Sequence, residues 1–253
     1  MTTEISACWI CGNTADSGEH KFKRKDLRRA YGSGAYKGES LVLHITNNSE
    51  KKVYGSNAKS LKYSKSLCCT CNNDTSKPWD LAYDQLLDFM FTNENRIISN
   101  RKLDFCDVYG NEFPLKINEL KKYFAKALGC RFTEAWGHAP SELVSFLKNS
   151  NDHDALRITF SVNADKLCLR EDYRNGLIGY SDLLSYYKSD GISLGYRTKH
   201  FVSWFETFLW FKLPIEPNYG AELIETTPIM KLDFLSYLPD EKRKNIISSK
   251  NAT

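Results

Sequence analysis

The hydrophobic pattern of the chain is irregular at first and periodic later. From Trp79 onward, Leu81, Tyr83, Leu86, Leu87, Met90 and Phe91 recur at the spacing of an amphipathic helix, which predicts a helix running to about Asn95. A second helix is predicted over Lys116–Leu128, ending at Gly129. A third is predicted over Ser141–Lys148, introduced by Pro140 with Ser141 as its N-cap. Before Trp79 the apolar runs are short. Leu41–Thr46 and Lys52–Tyr54 read as strands, and Gly32-Ser-Gly34 and Asn47-Asn48-Ser49 read as turns, so hairpins are expected there.

Beyond residue 150, Ala155–Val162 alternates apolar and polar positions, and Ile192–Tyr196 follows the turn dipeptide Asp190-Gly191. Phe201, Trp204, Phe205, Phe208, Trp210 and Phe211 keep neither period. They read as buried core with apolar residues on both faces, the alternative being a base-stacking or partner surface. The polar tail after Asp240 predicts a frayed end. The pattern as a whole is α+β, and the change in character divides the chain into residues 1–98 and 99–253.

Composition narrows the classes. The 253 residues are 42% hydrophobic, enough to bury a sizeable core. The longest strongly apolar window, Phe201–Leu213, is broken by Ser203, Glu206, Thr207 and Lys212. It falls short of the roughly 20 residues that span a bilayer, so no membrane span is expected. The N-terminus lacks a basic segment followed by an apolar one, which points to a reducing cytoplasm. In that setting eight cysteines, four of them in C-x-x-C pairs, favour metal binding over disulfides.

The net charge is only +4, but it is unevenly spread. Residues 1–79 hold 13 Lys or Arg against 7 Asp or Glu, and the rest of the chain is slightly acidic. The densest basic run supplies Lys21, Lys23, Arg24, Lys25, Arg28 and Arg29. Alone such a run reads as a solvated helix face; beside a candidate metal site it suggests contact with a phosphate backbone.

That metal site is announced by Cys8-Trp-Ile-Cys11 and Cys68-Cys69-Thr-Cys71. Two such knuckles can close a tetrahedral Zn²⁺ site with no open position, hence a structural one. Cys69 is an alternative ligand to Cys68 that the C-x-x-C spacing disfavours. Cys69, Cys106, Cys130 and Cys168 read as small buried hydrophobes. Glu19-His20 lies between the knuckles and Asn72-Asn73 directly after them. A histidine can accept a proton from water, while a carboxylate and an amide carbonyl can hold Mg²⁺ or Mn²⁺. His44, His138, His153 and His200 read as ordinary surface or core residues.

At these residues the chain resembles the HNH endonucleases, the ββα-metal or His-Me finger family, in the version braced by four zinc-bound cysteines. The likeness covers about residues 7–95. It implies an N-terminal ββα-metal, treble-clef-like finger followed by an α+β domain for target selection, dimerisation or regulation. His20 would be the general base. Asn72, with Asn73 as the fallback, would bind the catalytic cation together with Glu19, which stands where many members carry Asp. Asn57 is the candidate for the asparagine that orients the histidine, and the long gap between His20 and Asn72 implies an insertion around residues 31–60. The expected function is metal-dependent hydrolysis of phosphodiester bonds in nucleic acid, chiefly DNA, in a setting such as restriction or phage defence. A homodimer or a protein partner such as an ATPase belongs to the same expectation. The alternatives are a zinc-stabilised nucleic-acid-binding module without catalysis, and a protein-interaction adaptor built on the aromatic C-terminal half.

Overall fold

A computed structural model describes residues 7–38, 42–148, 155–169 and 177–242. His153 and the tail beyond Lys242 lie outside them. The N-terminal part begins with two irregular extended segments. Residues 17–21 and 61–67 run antiparallel, with Ser17 and Leu67 exchanging backbone hydrogen bonds and Tyr63 N donating to Glu19 O at 2.9 Å. Between these segments lie helix α1 (Arg24–Tyr31) and a hairpin of β1 (Val42–Thr46) and β2 (Ser49–Val53). The expected insertion around residues 31–60 therefore holds the β1–β2 hairpin, and α1 precedes it.

After the second segment, Thr70–Thr75 forms a wide π-type turn that leads into α2 (Lys77–Thr92), with α3 (Glu94–Asn100) behind it. Pro78 near the start of α2 suits a first turn, where an amide donor has no intrahelical partner. Strand β3 (Lys102–Asp104) and α4 (Phe105–Tyr109) connect to the long α5 (Phe113–Trp136), and α6 (Ser141–Lys148) follows as the sequence predicts.

Helix α5 does not end at Gly129. The glycine sits mid-helix because Trp9 lies on it: a Cβ there would come within 2.3 Å of the indole ring. Its small size serves a close approach, and the helix continues to Gly137, where a positive φ ends it.

The C-terminal part is built on a seven-stranded sheet. Its central path is β11 (Asp233–Leu235), β4 (Leu156–Asn163), β8 (Phe205–Phe211), β7 (Ser193–Val202) and β5 (Ile178–Tyr180). Strand β6 (Leu184–Tyr187) flanks β7 and β9 (Ala221–Glu222) flanks β4, while β10 (Ile229–Lys231) pairs with β3. Helix α7 (Ala164–Leu169) leaves the end of β4. All pairs are antiparallel except β11 with β4.

Strand β8 explains why the aromatic run followed no period. Every residue in it is buried, with Phe205, Leu209 and Phe211 in the main core and Phe208 and Trp210 in a second cluster with Tyr219 on the other face. The run is core rather than a stacking surface.

Helix α5 lies between α2 and the sheet. Tyr123 stacks on Tyr83 at 4.0 Å, and Phe124 and Phe132 meet Phe160, Tyr196 and Phe211. One core therefore runs from Cys8 through α2 and α5 to Leu232, and residue 98 falls inside α3 rather than at a gap in packing. The architecture is α+β, and among the described residues no helix is long and apolar enough to cross a membrane.

Candidate functional site

The two knuckles meet. The Sγ atoms of Cys8, Cys11, Cys68 and Cys71 all lie within 4.8 Å of one another, a cluster that could bind a metal such as zinc. The first knuckle turns through Gly12, whose φ of +85° strains any side chain and whose amide donates to Cys8 O. Asp16 Oδ1 accepts from Cys69 N at 2.7 Å and ties the second knuckle to the first segment. Burial, and then the neighbouring thiols, push Cys71 far above the ordinary thiol range. Four sulfurs this close cannot all ionise unless a cation balances them. Cys69 points away, exposed, with Sγ against Asn73. It and Cys106 are exposed rather than the buried hydrophobes expected, whereas Cys130 is buried.

The segment carrying Glu19 and His20 is held tightly. At Gly18 a Cβ would approach Tyr63 O to 2.7 Å, so the two strands close only on a glycine. His20 Nε2 lies 3.3 Å from Asn57 Oδ1, the residue singled out in the sequence as the orienting asparagine. An amide oxygen only accepts, so this contact is a hydrogen bond in the tautomer with the proton on Nε2, which leaves the Nδ1 lone pair available. Burial, reinforced by Lys62 opposite it on the paired segment, lowers the His20 pKa below its usual value, so the ring is neutral at pH 7.

Glu19 faces the other way. Its Oε1 accepts from His20 N at 3.0 Å and its Oε2 pairs with Lys126 Nζ at 2.7 Å. Lys126 comes from α5, is 1% exposed, and also reaches Ser76 Oγ at 3.0 Å and Asp80 Oδ2 at 3.2 Å. Burial works to lower its pKa, but the two carboxylates prevail and raise it, so it stays an ammonium. The carboxylate expected as an open metal ligand is thus the counter-ion of a buried lysine.

Asn72 sits in the π-type turn with Nδ2 donating to Ser17 Oγ at 2.8 Å, and its buried Oδ1 has no partner. Asn73 is turned back onto Cys69 O. Asn72 Oδ1 is thus a single unpartnered acceptor and Glu19 already has a cation, and among the described residues only the four cysteines gather three or more His, Cys, Asp or Glu ligands closely enough to share a metal.

The basic run is divided by its own helix. Lys23 bonds Asp84 at 2.9 Å and Asp80 at 3.4 Å, Lys25 pairs with Asp88, and Arg29 joins Asp26 to Asp88. Asp80, Asp84 and Asp88 recur every four residues and form one acidic stripe on α2. Three of the six expected phosphate contacts thus clasp α1 to α2, which corrects the reading of the run as an open basic face. Arg24 and Arg28 remain exposed, and Lys21 lies 5.6 Å over the Tyr63 ring.

Two residues the sequence did not point to complete the surroundings. Lys126 arrives from α5 and His200 from β7, and both line a cavity of about 30 Å³ with Glu19 and His20. Burial, then Arg131 and Lys166, lower the His200 pKa to about 4, so it is neutral. Neither carries a local motif that marks it in the sequence. No family model, curated protein or solved structure matches the chain.

Proposed function

We propose that the protein is an HNH-type endonuclease with a structural zinc at Cys8, Cys11, Cys68 and Cys71, hydrolysing phosphodiester bonds in nucleic acid. The observation that carries this reading is the contact between His20 and Asn57, on a segment anchored by the four-cysteine cluster. Together they give a neutral histidine oriented by an amide, on a segment that Asn72, whose buried Oδ1 is unpartnered, also grips through Ser17.

In the proposed reaction water adds to phosphorus, His20 Nδ1 takes its proton, and the P–O3′ bond breaks with its electron pair on the 3′ oxygen. Asn57 holds the imidazole so that the basic nitrogen faces the nucleophile. Asn72 would hold Mg²⁺ or Mn²⁺, which when bound supplies positive charge to the phosphate and leaving oxygen. Lys62 and Arg24, with Lys21 next in the chain, supply cationic charge around the histidine, a set different from the full run at Lys21–Arg29.

One observation favours the alternative, a zinc-stabilised nucleic-acid-binding module without catalysis: Glu19 already has its cation in Lys126. Supercoiled plasmid with Mg²⁺ or Mn²⁺ separates the two. Nicking by zinc-loaded wild type and none by His20→Ala is expected. Equal nicking by both, or plasmid binding without nicking by either, would refute the catalytic role of His20.

A further inference from the structure

We propose that an open groove beside His20 binds one unpaired nucleobase, so that the nucleic acid this protein takes is single-stranded or locally unpaired; the inference extends the nuclease reading by naming its substrate class. The groove has a volume of about 310 Å³ and is lined by Lys21, Tyr63, Arg131, Trp136 and Tyr180, with Glu134 and Asp182 also on its wall. Lys21, Tyr63, Arg131 and Tyr180 also line the cavity that holds Glu19 and His20, so the two spaces adjoin. The inner one, about 30 Å³, has room for a water and little more. The outer one is within the range of small-molecule sites.

The chemistry of the groove suits a base better than a phosphate. Its two cations are matched by two carboxylates, so it lacks the positive excess that tracks a backbone. It offers one open aromatic side chain, Trp136, on an otherwise polar wall. Trp136 ends α5, packs on Phe132 and Tyr196 at 5.0 Å each, and is still 44% exposed.

Its walls are tied to neighbouring segments by hydrogen bonds. The Arg131 guanidinium lies 4.3 Å from the Tyr180 ring, with one nitrogen on Ser181 O at 2.6 Å and the other on Thr198. Glu134 and Asp182 are held by Ser64 and Asn47 as fixed acceptors. The exposed indole offers a face on which a flat ring can stack, the Glu134 and Asp182 carboxylates offer acceptors to its polar edge, and every base has a face that can stack. In a duplex those faces are covered by neighbouring pairs, so only an unpaired or extruded base can enter.

The test measures binding apart from cutting. Zinc-loaded His20→Ala protein, without added divalent cation, is titrated into fluorescein-labelled strands of about 12 nucleotides: a mixed-sequence single strand, its duplex, and a strand made only of abasic tetrahydrofuran residues. The single strand is expected to bind about tenfold tighter than the other two. Adding Trp136→Ala should remove about tenfold from the single strand and nothing from the abasic strand, while Trp136→Phe keeps most of the affinity. Duplex binding equal to single-strand binding would overturn the proposal. So would a Trp136→Ala loss that is absent, or equal on all three strands as a folding fault would give. Cleavage is scored separately with His20 intact. No cutting with the Trp136 dependence preserved would sink the nuclease reading alone, and cutting with Trp136-independent binding would sink the base site alone.

Discussion

Replacing Lys126 by methionine tests the electrostatic centre of the molecule. The substitution keeps the apolar stem of the side chain and removes an ammonium that is 1% exposed, leaving Glu19 without a cation and Asp80 with Lys23 alone. Breaking a buried pair from one side costs about 3–5 kcal/mol. The two carboxylates are 15% and 26% exposed and can recover some hydration, which places the expected loss near the lower end, about 3 kcal/mol. Ser76 Oγ also loses the Lys126 donor at 3.0 Å while keeping its own bond to Asn72 O, a further loss of about 1 kcal/mol at most. In urea unfolding followed by circular dichroism, with a slope of about 3 kcal/mol per molar, the midpoint should fall by roughly 1 M. Adding Glu19→Gln should then restore part of the loss, because it removes the stranded charge, so the double variant is more stable than the summed single effects. A Lys126→Met midpoint equal to wild type, or strict additivity in the double variant, would show that the pair is not the buried bridge described.

The remaining predictions concern other parts of the molecule. Purified protein should carry one zinc by atomic absorption, and Cys71→Ser should lose it and open residues 7–71 to limited proteolysis, since the cluster joins both knuckles. Gly129→Ala should lower stability by about 1–3 kcal/mol through its collision with Trp9, read as a thermal midpoint several degrees lower. His200 has a folded pKa of about 4, below its usual 6.5, so the unfolded chain takes the proton first as pH falls. Stability should drop by up to about 3 kcal/mol between pH 6.5 and 4, and His200→Phe should flatten that slope in urea midpoints measured across pH. Asp88→Ala frees Lys25 and leaves Arg29 with Asp26 alone, and should tighten binding to nucleic acid and steepen its salt dependence by about one unit of log–log slope; an unchanged slope would refute the clasp.

What could be read in the sequence was what short spacing encodes. The cysteine quartet, the Glu19-His20 pair and the helix at α2 were visible because each is set by neighbours a few residues apart. Asn57 was identified only through the resemblance, and the structure brings it to His20. Lys126 and His200 were invisible because nothing local marks them: long-range packing of α5 and β7 delivers them to the site. Gly129 misled because glycine both breaks helices and admits close neighbours, and only the position of Trp9 decides between these roles. The basic run misled for a different reason. Its partners, Asp80, Asp84 and Asp88, were on the page at a four-residue repeat, but pairing one helix with another requires knowing that they meet.

The unbroken core has a consequence for any attempt to treat the N-terminal part as a transferable cassette. Tyr83, Leu86, Leu87 and Met90 on α2, each at most 1% exposed, belong to the core that continues through α5 to the sheet. A fragment ending near residue 98 would lift that face into water and leave Glu19 without Lys126, although its four cysteines would all be present. The cysteine cluster can be cut out of this chain as a string of residues, but not as a stable body. Grafting it elsewhere means carrying α5 with it.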